Sequence, residues 1–430
     1  MKSTHPISKP SLWLLLSMLS LVSMTYYVTE IWSAQQAESF SDFYAPWWAA
    51  HELLLHGRDP YSPAVAHEIQ SVIYGAPVVP SANDPSGLAG GYAYPPYAAL
   101  LLWPTVYLPF PAAQKIFLSV SALVALLSLA LWLRALRLRL PPVYWVIVAF
   151  FVAGSFPALQ AVKLQNLSLL AAALIAIAIF FLSCNHLVVG GIFLAVSTFK
   201  PQFTIALIPW ILIWTLADWR RRRSLAMSLL GTMLLLALVS EWFVPGWIPG
   251  FLTVINAYRH YTYGHSLLDV WFAPTFGPIA SAVLLLVSLG VSWPHRSEPA
   301  GSPRFAQVGG MLLAANVVVI PTLAPHAQLL LLPGFLCLLT GFASRWNLGP
   351  FARTLRVAAW LLLAWPWVAA FGLLLAAVWL PAGRLYRFWE VPLYSSPLLP
   401  MAVLVALVFQ VRARIEPSHQ DSENRAILRP

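Results

Sequence analysis

The chain has 430 residues, of which 60% are hydrophobic and only 9% are charged. A soluble globular domain carries about 25% charged residues, so this composition excludes an ordinary cytosolic enzyme. The net charge is +10, but the basic residues lie in short runs between apolar stretches, which predicts topology signals and no nucleic acid partner. Cys184 lies at a short connection and Cys337 inside an apolar run, so they support neither a disulfide framework nor a metal site.

Apolar runs of about 20 residues, the length that crosses a bilayer as a helix, recur along the chain. The clear runs are 12–31, 112–133, 143–162, 225–243, 272–293, 305–320, 357–380 and 398–411. Shorter or broken runs at 166–182, 187–199, 203–216 and 327–343 predict kinked or discontinuous helices. The sequence therefore predicts an all-α polytopic membrane protein with a bundle of about 12 transmembrane helices. Gly190 and Gly191, within one apolar run, predict close helix packing.

Lysine and arginine clusters predict the orientation, because positively charged loops stay in the cytoplasm. With a cytoplasmic N-terminus, most of the basic residues, including the run from Arg220 to Arg223, face the cytoplasm. The first run is longer than the apolar core of a typical cleavable signal peptide, so we expect it to be retained as a helix. Residues 1–411 are predicted to form one transmembrane domain, and the polar residues 412–430 a disordered cytoplasmic tail.

Residues 35–93 form a long predicted extracytoplasmic loop with six carboxylates, those of Glu38, Asp42, Glu52, Asp59, Glu68 and Asp84. Gly57 is a plausible stop for an amphipathic helix in the membrane interface, since apolar residues precede it at helical spacing: Phe43, Trp47, Ala50 and Leu54. Residues 75–91 predict an irregular loop. The connection 245–271 predicts an aromatic and polar loop, suited to stacking on sugars or to lying on the membrane.

Asp42 lies shortly after the first predicted helix, in the segment SFSDFYAPWW. A carboxylate that aromatic neighbours partly shield from water has the raised proton affinity that a general base needs. The same position also suits the N-cap of the interfacial helix. Position alone leaves both interpretations open.

Two further polar groups lie on the predicted outer face. Tyr94 and the two prolines after it either hold a loop against a cavity or form a stiff entry into the next helix. Lys163, Gln165 and Asn166 end the third predicted span, in the segment AVKLQNLSLL. Their amides and ammonium can bind a sugar or a phosphate, or they can satisfy the backbone of a short hairpin.

Lys200 lies within apolar sequence, followed by Pro201 and Gln202. Burying a lysine costs several kcal/mol unless it meets an anion or a cavity, which favours a functional role over a snorkelling side chain. His326 lies on the same predicted face and is either a structural hydrogen-bonding residue or part of the site.

Four segments, in this order and spacing, resemble the family 87 glycosyltransferases: SDFYAPWWAAHELLLHGRDPYSP, YAYPPYAALLLWPTVYLP, LQNLSLLAAAL and GGIFLAVSTFKPQFTIALIP. The resemblance spans about residues 38–345. At Leu164 the chain departs from the pattern, since many relatives carry glycine before the Gln-Asn pair.

The resemblance implies a GT-C fold in a bacterial inner membrane and transfer of a hexose, with mannose as the first guess. The donor would be a polyprenyl-phosphate sugar, the acceptor an extracytoplasmic lipid or glycan, and the anomeric centre would be inverted without a cofactor. It also implies that Asp42 is the general base and that Lys200 lies near the donor phosphate. Gln202, His326, Lys163, Gln165, Asn166 and Tyr94 are the other expected donor-binding residues.

Two rival classes use similar residues. A transporter or flippase of lipid-linked sugars would also need an intramembrane lysine and polar helix breaks. The acidic first loop and the lack of a recognisable internal repeat in the sequence argue against it. A membrane scaffold would leave the predicted burial of Lys200 without a purpose.

Overall fold

The structure, a computed structural model, describes residues 41–81, 84–138, 142–261, 264–320, 324–341, 350–385, 388 and 398–412, with isolated positions between 14 and 29. Every regular element in these ranges is helical, as the sequence predicts. The first predicted span at 12–31 lies mostly outside the described residues, and so does the predicted tail at 412–430.

The helices of the first half are α1 (Tyr44–His56), α2 (Pro63–Tyr74), α3 (Ala98–Val106), α4 (Phe110–Ala135), α5 (Pro142–Ala153), α6 (Phe156–Lys163), α7 (Ser168–Ser183), α8 (Leu187–Val196) and α9 (Leu207–Ala217). The second half contains α10 (Trp219–Phe243), α11 (Trp247–Tyr261), α12 (Leu267–Ser292), α13 (Pro303–Val319), α14 (Leu332–Gly341), α15 (Pro350–Ala376), α16 (Ala382–Leu385) and α17 (Leu398–Arg412). Short 3₁₀ helices lie at Ser197–Phe199, Pro201–Phe203, Trp293–His295 and Pro325–Leu331.

Three helices in the described ranges are long and apolar enough to cross a membrane: Phe110–Ala135, Trp219–Phe243 and Thr275–His295. Shorter apolar helices accompany them, among them Ser168–Ser183, Pro303–Val319 and Leu398–Arg412. The chain is thus a helical membrane protein, while the number of about twelve crossings stays a prediction.

Two predicted runs change their helical geometry part-way, and prolines lie in the first turns of the helices there. The run 143–162 is divided into α5 and α6, with Pro157 in the first turn of α6. Within 327–343, the described residues up to Gly341 belong to a 3₁₀ helix that begins at Pro325 and to α14, which follows it. Proline suits the first turn of a helix because its missing N–H has no helical partner there. The run 143–162 is therefore not one continuous helix, whereas the described part of 327–343 changes from 3₁₀ to α geometry without a gap, and its predicted discontinuity stays a prediction.

The predicted first-loop helix exists as α1 and ends at Gly57, whose φ of 63° is the left-handed value that favours glycine. Its location at the membrane interface stays a prediction, and its apolar residues meet protein. Phe43, Trp47 and Ala50 are buried in protein, and the Trp47 indole donates a hydrogen bond to the Thr105 carbonyl at 3.1 Å. The apolar face of α1 packs on α3, because short apolar helices nearby offer it a protein surface.

The predicted loop 245–271 is largely helical, which corrects the prediction. Residues Trp247–Tyr261 form α11, and α12 begins at Leu267 behind a capping box of Ser266 and Asp269. Ala273 has a φ of 62° and interrupts α12 ahead of the long apolar stretch.

The core is built around helices that are apolar on every side. Helix α7 packs between α4 and α8, and α8 packs against α10. Helix α13 packs against α12, α14 and α17, and is buried along nearly its whole length. The Gly190 and Gly191 prediction is confirmed, since a Cβ at Gly191 would lie 2.9 Å from the Leu225 carbonyl oxygen of α10.

Candidate functional site

Asp42 is held where the chain enters α1, against the turn between α6 and α7. Its main-chain N–H donates to the Leu164 carbonyl at 2.8 Å, and its Oδ2 accepts from the Asn166 side-chain amide at 2.7 Å. The N-cap residue of α1 is Phe43, which makes no side-chain cap. The capping interpretation of Asp42 is therefore wrong.

The turn after α6 presents Asn166 to Asp42. Gln165 has a φ of 55°, and the Asn166 N–H donates to the Ala161 carbonyl at 2.8 Å, which closes the end of α6. Leu164 has an ordinary φ of −80°, so the glycine of many relatives is not required there. The left-handed conformation belongs to Gln165 instead.

Lys200 lies between the two 3₁₀ helices that follow α8, and its side chain is only 5% exposed. The ammonium donates to Asn166 Oδ1 at 2.7 Å and to Ser168 Oγ at 2.6 Å. It also lies 5.1 Å from the centre of the Phe203 ring. The snorkelling interpretation is wrong, because the side chain points into the protein and meets neutral oxygens.

His326 lies near Lys200, close enough for their charges to interact. It belongs to the 3₁₀ helix Pro325–Leu331, which packs against α6 and α7. Its Nδ1 is buried and has no hydrogen-bond partner among the described residues. An unpaired buried polar atom is costly, so we expect a group outside the described residues to meet this nitrogen.

Tyr94 lies at the edge of the same cluster. Its ring is half-buried, 6.2 Å from the Phe199 ring, and it lies within electrostatic range of Asp42. The Tyr61 hydroxyl donates to the Tyr94 carbonyl at 2.6 Å, which holds this loop. Pro95 and Pro96 are buried, and their carbonyls accept from the first residues of α3, so they stiffen the loop and also begin the helix.

Three of the predicted residues do not join this cluster through their side chains. Lys163 is exposed at the end of α6. Gln165 is buried and accepts from the Gln114 amide of α4 at 3.1 Å. Gln202 is half-buried, and its main-chain carbonyl accepts from Asn316 at 2.8 Å.

Two site residues escaped sequence reasoning. Ser168 begins α7, is fully buried and contacts both Asn166 and Lys200. Asn316, fully buried in α13, bonds the Gln202 carbonyl and the Ala206 N–H at 2.8 and 2.9 Å, which holds the chain that follows Lys200. The sequence feature that could have identified them is a polar residue inside an apolar helix, because such a residue rarely occurs there without a hydrogen-bonding role.

The surroundings of Asp42 raise its pKa. Solvent reaches the side chain, yet protein atoms surround it densely. The loss of water around the carboxylate raises the pKa, and this outweighs the lowering by the Asn166 amide and the Lys200 charge. A carboxylate of this kind is suited to accept a proton near neutral pH.

Burial has the opposite effect on the amine. Lys200, in the connection between two helices, has its pKa lowered to about 7 by burial, against a smaller raising effect of Asp42. An ammonium that is only partly charged near neutral pH gains its full charge when an anion such as a phosphate approaches. The arrangement therefore joins a proton acceptor to an anion-binding group through one amide.

A group with metal-ligating side chains lies elsewhere, on α1. His51, Glu52 and His56 have ligand atoms within 4.8 Å of one another. Glu52 is already bonded to the Arg58 guanidinium at 2.6 Å, and Arg58 also pairs with Glu68. A neighbouring cation opposes a second positive charge, so we assign this group a structural role.

The chain matches a known protein family. The model of glycosyltransferase family 87 matches residues 92–341, more than half of the chain. The match includes Asn166, Lys200 and His326, while Asp42 precedes it. No curated protein and no solved structure matches the chain. With its helical membrane fold and the matched region as evidence, the chain belongs to glycosyltransferase family 87.

Proposed function

We propose that this glycosyltransferase moves a hexose, with mannose as the first candidate, from a polyprenyl-phosphate donor to an extracytoplasmic lipid or glycan acceptor, with Asp42 as the general base. The observation that carries the proposal is the link from Asp42 through Asn166 to the buried Lys200, at 2.7 Å in each step. A base and an anion-binding group are the two elements that sugar transfer from a phosphate requires.

The reaction is a single displacement. Asp42 takes the proton of the acceptor hydroxyl while that oxygen attacks the anomeric carbon. The bond from that carbon to the phosphate oxygen breaks, and the polyprenyl phosphate leaves with the bonding electrons. Lys200 and the unpaired Nδ1 of His326 are positioned to bind the developing charge on the phosphate.

Inversion of the anomeric centre is part of this proposal, and the charged groups that act on Asp42 support it. A retaining mechanism with a covalent intermediate uses a second carboxylate close to the first. Among the described residues, the charged group that acts on Asp42 is Lys200, and no second carboxylate does so. Backside attack by the acceptor is therefore the expected route.

The lipid-linked donor fits a protein of this composition. A donor that carries its own lipid can reach the site from the bilayer, and the chain exposes long apolar helix surfaces to lipid. A transporter would explain Lys200 but would leave Asp42 without a role, and the family match gives the transporter class no support.

The test uses purified protein in lipid nanodiscs with labelled polyprenyl-phosphate mannose and a lipid and glycan extract as acceptor. Asp42→Asn is expected to lower turnover by about 10²–10⁴-fold, because the amide cannot accept the proton. Asp59→Asn is the matched control, since Asp59 is exposed in the same part of the chain. Full transfer by Asp42→Asn would refute the base assignment. Transfer from GDP-mannose instead would refute the donor class.

A further inference from the structure

The hydrogen bonds of Asn166 determine which atom of its side-chain amide is the oxygen and which is the nitrogen. Its Oδ1 lies 2.7 Å from the Lys200 ammonium, 2.6 Å from Ser168 Oγ and 3.0 Å from the Ser168 N–H. The ammonium and the main-chain N–H can only donate, so the atom that they face must be the carbonyl oxygen. The amide NH₂ therefore points the other way, and it donates to Asp42 Oδ2 at 2.7 Å.

Ser168 holds this orientation from the other side. It is fully buried at the first position of α7, and its hydroxyl has a single proton to donate. Since Lys200 donates to Oγ at 2.6 Å, the hydroxyl proton is free to go to Asn166 Oδ1. The serine thus bonds both the lysine and the amide, and it does so from a rigid helix end.

These contacts occupy one oxygen of the base. Asp42 Oδ2 is taken by Asn166, whereas the described residues make no hydrogen bond to Oδ1. The main chain of Asp42 is bound to the same turn through Leu164. Both the location of the carboxylate and the rotation of its side chain are therefore set by the residues between α6 and α7.

We propose that Asn166 and Ser168 are positioning residues that act through Asp42 and Lys200, and that Asp42 Oδ1 is the oxygen that receives the acceptor's proton. This inference rests on the proposed function, and it changes the expected role of Asn166, whose side chain is used within the protein rather than on the donor. In the step itself, the acceptor O–H bond breaks and the Oδ1–H bond forms.

The test is the pH dependence of kcat/KM for Asn166→Ala. The amide stabilises the ionised carboxylate, so its loss should raise the pKa of Asp42. Lys200 and Tyr94 are the other titratable groups that act on it, and both remain. We expect a 10- to 100-fold lower kcat/KM and an acidic limb moved upward by about 1 pH unit.

Ser168→Ala provides a smaller change in the same network, in case Asn166→Ala does not fold. The Lys200 ammonium then loses one hydrogen-bond acceptor, which lowers the pKa of Lys200. The basic limb should therefore move to lower pH while kcat/KM falls about 3- to 10-fold. Ser197→Ala is the matched control, because Ser197 is also fully buried near Lys200 in sequence but its hydroxyl bonds the Leu194 carbonyl. It should leave both limbs in place.

The outcomes separate the two proposals. If Asp42→Asn abolishes transfer but both pH limbs stay unchanged in Asn166→Ala and Ser168→Ala, the positioning role is refuted and the proposed function stands. If Asp42→Asn transfers sugar normally, the base assignment fails and the positioning role, which rests on it, fails too, whereas sugar transfer itself stands. A changed melting temperature with unchanged limbs would indicate a structural role only and would also overturn the inference.

Discussion

Lys200 is a single residue whose surroundings determine its chemistry. It is buried against neutral oxygens, not a carboxylate, so its positive charge has no direct counterion among the described residues. A buried charge without a partner is unstable, and an anionic ligand removes that cost. A phosphate-bearing donor is therefore expected to bind more tightly when Lys200 is protonated.

The direction of the Lys200 pKa shift predicts how kcat/KM depends on pH. Because burial lowers the Lys200 pKa to about 7, the side chain is positively charged below that pH and loses its charge as the pH rises through it. The wild-type kcat/KM should therefore fall on the alkaline side with a midpoint near this value. Lys200→Gln should lower kcat/KM by about 10²-fold and abolish the alkaline limb. Measurements of kcat/KM on both sides of this midpoint, for the wild type and for Lys200→Gln, check the two expectations.

Lys163→Gln is the matched control for that variant, because Lys163 is exposed and lies outside the cluster. It should retain the wild-type rate and pH profile. An equal loss in both lysine variants would contradict the role of Lys200, since it would point to the overall charge of this face.

At the scale of elements, the site depends on how closely α8 approaches α10. The chain that carries Lys200 continues directly from α8, and α8 packs on α10 through Gly191. A Cβ at Gly191 would lie 2.9 Å from the Leu225 oxygen and 3.0 Å from the Leu229 nitrogen, which are main-chain atoms. Main chain cannot rotate away as a side chain can, so the two helices would have to separate.

Gly191→Ala should therefore destabilise the protein by about 1–3 kcal/mol and weaken activity through displacement of Lys200. Gly231→Ala on α10 is the control, since a Cβ there meets nothing within 4 Å. That substitution should be neutral or stabilising by up to about 1 kcal/mol. Thermal unfolding in detergent compares the two. Equal melting temperatures would contradict the close-packing argument.

At the scale of the whole molecule, polar contacts join residues that the sequence predicts to lie on the same side of the membrane. Asp42, Asn166 and Lys200, all predicted to be extracytoplasmic, lie together. Arg222, predicted to be cytoplasmic, stacks on Trp214 at 3.7 Å and donates to carbonyls of residues 214 and 296–298. Arg304 donates to carbonyls of residues 410 and 411. Residues distant in sequence thus contact one another, while the side of the membrane on which each group lies stays a prediction.

Cysteine labelling tests the predicted orientation. Cys184 is exposed at the end of α7 and Cys337 is buried, so a membrane-impermeant maleimide should modify Cys184 alone. With a cytoplasmic N-terminus, Cys184 faces the cytoplasm and should react in inverted vesicles but not in intact cells. Asp59→Cys, made in a Cys184→Ser background, should react in intact cells. The reverse pattern would invert the topology and place Asp42 in the cytoplasm.

The sequence by itself determined the helical membrane class, the family, and most residues of the site. Composition and apolar runs suffice for the class, because a bilayer requires long apolar helices with their backbone bonds satisfied internally. A buried lysine in apolar sequence is similarly informative, because its cost demands a compensating role. The amino-acid sequence alone is thus enough to name Asp42, Asn166, Lys200 and His326 as candidates.

Only the tertiary structure decided which candidates lie together. Lys163 and Asn166 are three residues apart, yet one is exposed and the other bonds Asp42, since the left-handed turn at Gln165 sends them in different directions. Ser168 and Asn316 acquire their roles only through contacts with distant segments. The burial of α1 on α3 likewise depends on surfaces far apart in sequence. Local patterns state what a residue can bond, but its partner depends on which segments packing brings beside it.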